Sequence, residues 1–251
     1  MQTKTLGVLG GLGPLSGVYF CEMLIRHTKA QRDQEHLNFL LSSYAMTPDR
    51  TDFILGRSEE NPLETMVEQV SGLIRGGAEV ISIPCNTAHY FYDRISEASS
   101  VPVINIIRET VAFCRAQGVR TVGVLATEGT VSSGAYESVC REMGVEYVTC
   151  NPSEQAVITD MIYNRIKKGQ APCKADFLSV ASALTDRGCE RLILGCTELS
   201  LLKKEWSLSD PFIDSLEVLA YASICACGKE PIDFPPALMK FQPTKGTNLC
   251  C

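Results

Sequence analysis

Gly77-Ala78-Glu79-Val80-Ile81-Ser82-Ile83-Pro84-Cys85 carries an apolar run from a glycine into a cysteine, and Gly188-Cys189-Glu190-Arg191-Leu192-Ile193-Leu194-Gly195-Cys196 repeats the pattern. A second match lies upstream of each copy. Thr5-Leu6-Gly7-Val8-Leu9 corresponds to Thr121-Val122-Gly123-Val124-Leu125, and Gly13 falls opposite Gly129. Two copies of one unit, each roughly 110 residues, have the size of small domains.

Within each copy short apolar runs alternate with longer amphipathic stretches. Strands are expected at Thr5–Leu9, Leu37–Ser43, Val80–Pro84, Val103–Ile106, Thr121–Leu125, Val145–Thr149 and Arg191–Gly195. Helices are expected at Leu15–Ala30, Leu63–Arg75, Ile107–Gln117, Ser132–Met143, Gln155–Lys168 and Lys174–Arg187. This alternation implies an α/β fold of two similar domains, each a parallel sheet flanked by helices, related by pseudo-two-fold symmetry. The expected boundaries are an N-terminal domain over 1–106 and a C-terminal domain over 107–227 whose terminal helix is able to pack back on the first. Residues 228–251 are Pro-rich and aperiodic, and read as an irregular tail.

The 251 residues are 45% hydrophobic with a net charge of -6, so a sizeable core is available and a basic nucleic-acid surface is not expected. No apolar run approaches the roughly 20 residues that span a bilayer. The chain begins without a charged leader, and the expectation is a cytoplasmic protein with neither membrane nor nucleic-acid partner. Twelve cysteines stand out. No C-x-x-C unit occurs, and Cys225-x-Cys227 and Cys250-Cys251 lack histidines at ligand spacing, so no metal site is expected. Cys21, Cys114, Cys140 and Cys189 sit in apolar surroundings, where a free thiol acts as a small hydrophobe.

Cys85 and Cys196 differ from these. Each ends a strand pattern at the carboxyl edge, where open parallel sheets bind ligands. Asn86-Thr87-Ala88-His89 follows the first and Thr197-Glu198 the second. Were these turns to open helices, their amides would favour negative charge and lower a thiol below its free value of about 8.5. Two thiols facing one cleft suit proton transfer to opposite sides of a carbon acid. Asn86, Thr87, Thr197 and the turn amides are candidate donors to the charge that develops.

The motifs Gly10-Gly11-Leu12-Gly13-Pro14, Arg32-Asp33-Gln34-Glu35-His36, Pro48-Asp49-Arg50-Thr51, Pro84-Cys85-Asn86-Thr87-Ala88-His89, the stretch from Ala126 to Glu137, and Gly195-Cys196-Thr197-Glu198 resemble the aspartate/glutamate racemase family, most nearly its aspartate branch. The resemblance runs to about Gly228. It implies an amino-acid racemase needing neither pyridoxal phosphate nor metal, with Cys85 and Cys196 as alternating acid and base. It implies that Thr87 and Glu198 assist the thiols, Glu198 standing where glutamate racemases carry histidine. Arg50 and Lys167 would hold the substrate carboxylates, beside Leu12 and Thr127 in the substrate pocket, and a homodimer is expected. Leu12 replaces a common Met, Ser215 replaces a common Pro, and the Cys-rich tail has no family counterpart.

Other readings fit less of the chain. Gly11-x-Gly13-x-x-Ser16 lacks the third glycine of a dinucleotide fingerprint, so the loop is expected to let backbone approach a small ligand. His89 reads as a satisfied helix-end histidine rather than a base, and a cysteine hydrolase would leave Cys196 unexplained. A terminal Cys-Cys as a prenylation signal has no other support. A glutamate or broad-specificity racemase, a lyase, and a non-catalytic amino-acid-binding protein remain as alternatives.

Overall fold

Leu6-Gly7-Val8-Leu9-Gly10 is buried at every residue, as a strand covered on both faces of a parallel sheet must be. In the computed structural model, which describes residues 3–244, this strand is β1. The first unit continues through α1 (Pro14–Arg26), β2 (Phe39–Ser43), α2 (Arg50–Ile54), α3 (Leu63–Arg75), β3 (Val80–Ser82), α4 (Tyr92–Ala98), β4 (Val103–Ile104) and α5 (Ile106–Ala116). The second comprises β5 (Thr121–Leu125), α6 (Glu128–Ser132), α7 (Ala135–Met143), β6 (Glu146–Thr149), α8 (Pro152–Thr159), α9 (Lys174–Asp186), β7 (Arg191–Leu194), α10 (Thr197–Trp206), β8 (Phe212–Asp214) and α11 (Ser215–Ala226). A single turn, α12 (Pro236–Met239), follows.

Both sheets are parallel and share one topology, β2-β1-β3-β4 and β6-β5-β7-β8. The repeated sequence stretches are therefore the central strand pairs, β1 with β3 and β5 with β7. A physical constraint keeps the copies alike. A Cβ on Gly7 would lie 2.6 Å from Ile81 Cδ1 and 2.8 Å from Ala78 Cβ; one on Gly123 would lie 2.7 Å from Leu192 Cδ2 and 3.1 Å from Cys189 Sγ. The glycine of each first strand makes room for matching side chains beside the third.

The last helix of each unit crosses to the other. α5 packs on α7 and α11, while α11 packs on α1 and reaches β3, where Ser223 Oγ lies 2.7 Å from Ser82 Oγ. Each helix opens on a side-chain cap directly after an edge strand. Asn105 accepts from Arg108 N at 3.0 Å, and Asp214 accepts from Leu216 N at 2.8 Å. The exchange builds one core across both units, holding Val8, Val80, Val122, Ile193, Leu216 and Leu219. Each sheet's other face has its own core, around Ile81 and Ile83 in one and Leu192 and Leu194 in the other.

The structure alters several sequence expectations. β8 was not foreseen: it is three residues long and follows a proline, too short to show a period. The helix expected over Ser132–Met143 starts only at Ala135, after Gly134 at φ +67, and a separate short helix that was not expected, Glu128–Ser132, precedes it. That expected over Gln155–Lys168 starts at Pro152 on a capping box. It then loosens into a π-helical turn, Asp160–Arg165, and a 3-10 turn, Ile166–Lys168. The tail packs rather than trailing off. Its described part buries Phe234, Leu238 and Phe241, and Phe234 stacks on His27 at 4.3 Å. Cys250-Cys251 lies outside the described residues. No helix among the described residues is long and apolar enough to cross a membrane.

Candidate active site

Beyond the carboxyl ends of β3 and β7 the chain turns at once, and each turn carries a cysteine. After β3, Cys85 N donates to Ile83 O at 2.7 Å, and a 3-10 turn over Thr87–Phe91 follows. After β7, Cys196 takes the cap position of α10. Both side chains are buried and line one cavity between the units. The structure brings every other residue singled out from the sequence to the same cavity: Leu12, Arg50, Asn86, Thr87, Thr127, Lys167, Thr197 and Glu198. Asp49, Thr51 and Tyr163 complete the lining and were missed. Asp49 and Thr51 flank Arg50 within a quoted motif, so their proximity was readable; Tyr163 sits on the π-helical turn, which no local pattern announces.

The two thiols have different neighbours. Cys196 Sγ donates to Glu198 Oε2 at 3.0 Å. Burial, and next the Glu198 carboxylate, push this thiol well above its ordinary value. The expectation of a lowered thiol therefore fails at Cys196, because desolvation and a carboxylate two residues away outweigh the helix-end amides. The turn that carries Cys85 brings hydroxyls together instead. Thr87 Oγ1 is 3.0 Å from Thr127 Oγ1 and 2.8 Å from Thr130 Oγ1, and the latter two are 3.0 Å apart. Thr130, absent from the sequence reading, closes this triangle.

The cations are held in contrasting ways. Arg50 Nη2 donates to Leu12 O at 2.7 Å, and Nη1 to Pro48 O at 3.0 Å and Thr47 O at 3.3 Å. Its Nε has no partner among the described residues, and no carboxylate there pairs with it. A buried guanidinium bonded only to carbonyls keeps its charge for an incoming anion. Lys167 is looser: Nζ stands 3.9 Å from Asp49 Oδ2 and 4.3 Å above the Tyr163 ring.

Asn86 is largely committed to the scaffold. Tyr136 donates to its Oδ1 at 2.7 Å, and its Nδ2 donates to Ser215 Oγ at 3.0 Å. His89 is fully committed: Nδ1 pairs with Cys85 O at 2.8 Å, and Nε2 accepts from Ile106 N at 3.2 Å. Burial lowers it to about 4, so the neutral ring is a brace between the cysteine turn and α5. The glycine loop serves the protein itself. At Gly11, φ +79, a Cβ would meet the Tyr44 backbone at 2.5 Å; at Gly13 it would meet Glu198 Oε1 at 2.5 Å. The close approach expected for a ligand is made by Tyr44 and the Glu198 carboxylate.

The cavity is nearly shut, with about 10 Å³ of open space, room for one water. Leu12, Asp49, Arg50, Lys167 and Glu198 also line an open vestibule of about 520 Å³. These five residues lie between the cavity and the vestibule and line both. Among the described residues no three His, Cys, Asp or Glu side chains cluster to hold a metal ion.

The sequence pattern of the Asp/Glu/hydantoin racemase family matches residues 9–222. A broad-specificity amino-acid racemase of Bacillus subtilis is 26% identical over 223 residues, 87% of this chain and 96% of that protein. A glutamate racemase of Limosilactobacillus reuteri is 24% identical over 208 residues, 82% of this chain and 72% of that one. The structure of a Picrophilus torridus aspartate racemase is similar with a TM-score of 0.76 and 28% identity, covering 91% of this chain and 96% of that chain. With a family match from β1 into α11 and two sheets of one topology, this chain belongs to the Asp/Glu/hydantoin racemase family.

Proposed function

We propose that this chain is a cofactor-independent aspartate racemase that interconverts L- and D-aspartate with Cys85 and Cys196. One observation carries the reading: two cysteines from equivalent strand ends of a duplicated fold line one closed cavity beside an unpaired, buried arginine. Arg50 and Lys167 receive the two carboxylates. A thiolate on one side removes the Cα proton, and the thiol on the other delivers its own.

Glu198 assigns the starting states. It holds Cys196 as a thiol, the proton donor, which leaves Cys85 as the acceptor. After a forward turnover Cys85 holds the abstracted proton and Cys196 is the thiolate, so in the reverse direction Cys196 removes the Cα proton and Cys85 delivers its own. The Cα proton is weakly acidic, so the developing carboxylate charge needs fixed donors in a dry site. Arg50 and the near-absence of open space meet that need. The likeness to the Picrophilus torridus aspartate racemase and the carboxylate at position 198 favour aspartate. We also expect a homodimer in the cytoplasm, which sedimentation and fractionation check.

Incubation with L-aspartate in D₂O, without added cofactor, tests the reading. Loss of the Cα–H signal with formation of D-aspartate supports it. No exchange with any amino acid, from folded protein with reduced thiols, refutes it. Binding that survives Cys85→Ser and Cys196→Ser without exchange in the parent would point to a binding protein. A second reading, racemisation of several amino acids, is favoured by the likeness to the Bacillus subtilis protein. One methylene changes pocket binding by only about 1–3 kcal/mol. A panel of L-amino acids compared by kcat/KM separates the two.

A further inference from the structure

A cleft much larger than the cysteine cavity lies away from the thiols. It measures about 830 Å³ and runs beside β8, the edge strand of the second sheet, between α5, α10, α11 and the packed tail. Its apolar wall is formed by Phe113, Phe212, Val218, Phe234 and Leu238. Volume and lining fall in the range of pockets for small organic ligands.

Its polar end has a charge imbalance. Asp210, Asp214, Glu217 and Asp233 face Arg191 and Lys203, four carboxylates against two cations. Glu217 occupies Lys203 at 2.6 Å, and Arg191 lies 3.9 Å from Asp210. Asp214 and Asp233 are left over, and of these Asp214 is buried while Asp233 is exposed. Only 2% of Asp214 is exposed; its Oδ1 accepts from Ser200 Oγ at 2.6 Å and Leu216 N at 2.8 Å, and its Oδ2 has no partner among the described residues. Burial, and then Glu217, raise the Asp214 carboxyl above its ordinary value. A buried carboxylate with an unused oxygen at the end of an apolar cleft is costly unless a cation meets it.

We propose that this cleft is a second ligand site, separate from the cysteine cavity, for an organic ammonium ion bearing an aromatic or branched alkyl group. The ammonium donates to Asp214 Oδ2 and balances the buried one of the two surplus carboxylates, while the apolar group lies against Phe212, Phe234 and Val218. Free amino acids suit it poorly, because their carboxylate would enter the acidic end. An amine or a carboxyl-blocked amino acid fits. None of the cleft-lining residues lines the cysteine cavity, so the proposal stands apart from the racemase reading.

The test is calorimetric titration of the full chain with 2-phenylethylammonium chloride, using phenylacetate and ammonium chloride as controls. Saturable one-site binding is expected for the first, with at least tenfold weaker binding for both controls. Asp214→Asn keeps a capping side chain and removes the charge; it should weaken binding tenfold or more. Glu217→Gln, less buried, frees Lys203 to neutralise Asp214 and should do the same if the first variant folds poorly. Asp233→Asn, where φ is +58 and asparagine is tolerated, should change binding about twofold or less. No saturable binding, equal binding of phenylacetate, or full binding by folded Asp214→Asn or Glu217→Gln would overturn the proposal.

Discussion

The two halves of this molecule are the same in topology and different in chemistry. Each sheet has the order second-first-third-fourth, each third strand delivers a buried cysteine, and each last helix crosses to the other half. Yet the turn that carries Cys85 ends in Thr87, joined to two further hydroxyls that both donate and accept, whereas Cys196 donates to a carboxylate that only accepts when ionised. Duplication supplies two buried cysteines that line one cavity, and divergence beside them sets a carboxylate against Cys196. In the proposed mechanism a symmetric pair would start from no defined state, whereas the Glu198 carboxylate makes Cys196 the starting donor.

The comparison breaks most visibly at the sulfurs. Cys85→Ser and Cys196→Ser should each lower racemisation at least ~10³-fold, the upper part of the range for a general acid or base. Chiral chromatography checks this, and a fall in only one variant would end the two-thiol reading. Glu198→Gln should lower the rate by ~10–100-fold. It also removes a carboxylate that raises Cys196, so the alkylation-versus-pH curve of this thiol should move to lower pH. An unmoved curve would mean that burial alone holds the proton.

Thr130→Val tests the other half. It takes one hydroxyl from the triangle and should cost about 1 kcal/mol at Thr87, a rate loss of ~3–10-fold. The Cys196 alkylation curve should stay in place. The smallest effect on catalysis is expected at His89, whose role is stability. Its folded value is about 4 against 6.5 when free, so its contribution is complete above 6.5. It is lost as pH falls from 6.5 through 4, up to about 3 kcal/mol. Urea unfolding at pH 7 and pH 5 should show the drop, and His89→Gln should flatten the part of it due to this ring.

The residues that were legible share one property: they lie in local motifs. Arg50 sits in Pro48-Asp49-Arg50-Thr51, and both cysteines end a visible strand pattern. Those missed acquire their place through long-range packing. Thr130 reaches Thr87 only because α6 and the Cys85 turn come together from different halves. Tyr163 reaches the cavity because the helix after β6 widens into a π turn. Gly129, matched to Gly13 in sequence, serves a different neighbour: its missing Cβ makes room for Thr51, while that of Gly13 makes room for Glu198. A repeat in sequence is a repeat of strand positions, not of what presses against them.

By itself the sequence determined the α/β class, the duplication and the pair of cysteines at corresponding strand ends, because apolar runs, glycines and strand-end residues follow local rules of backbone geometry and burial. Only the tertiary structure decided the Glu198 carboxylate beside Cys196, the unpaired state of Arg50, the commitment of His89 and Asn86, and the orphaned oxygen of Asp214. Each of these depends on desolvation and on partners distant in the chain, and both arise only once the crossed helices have closed the two halves on one another.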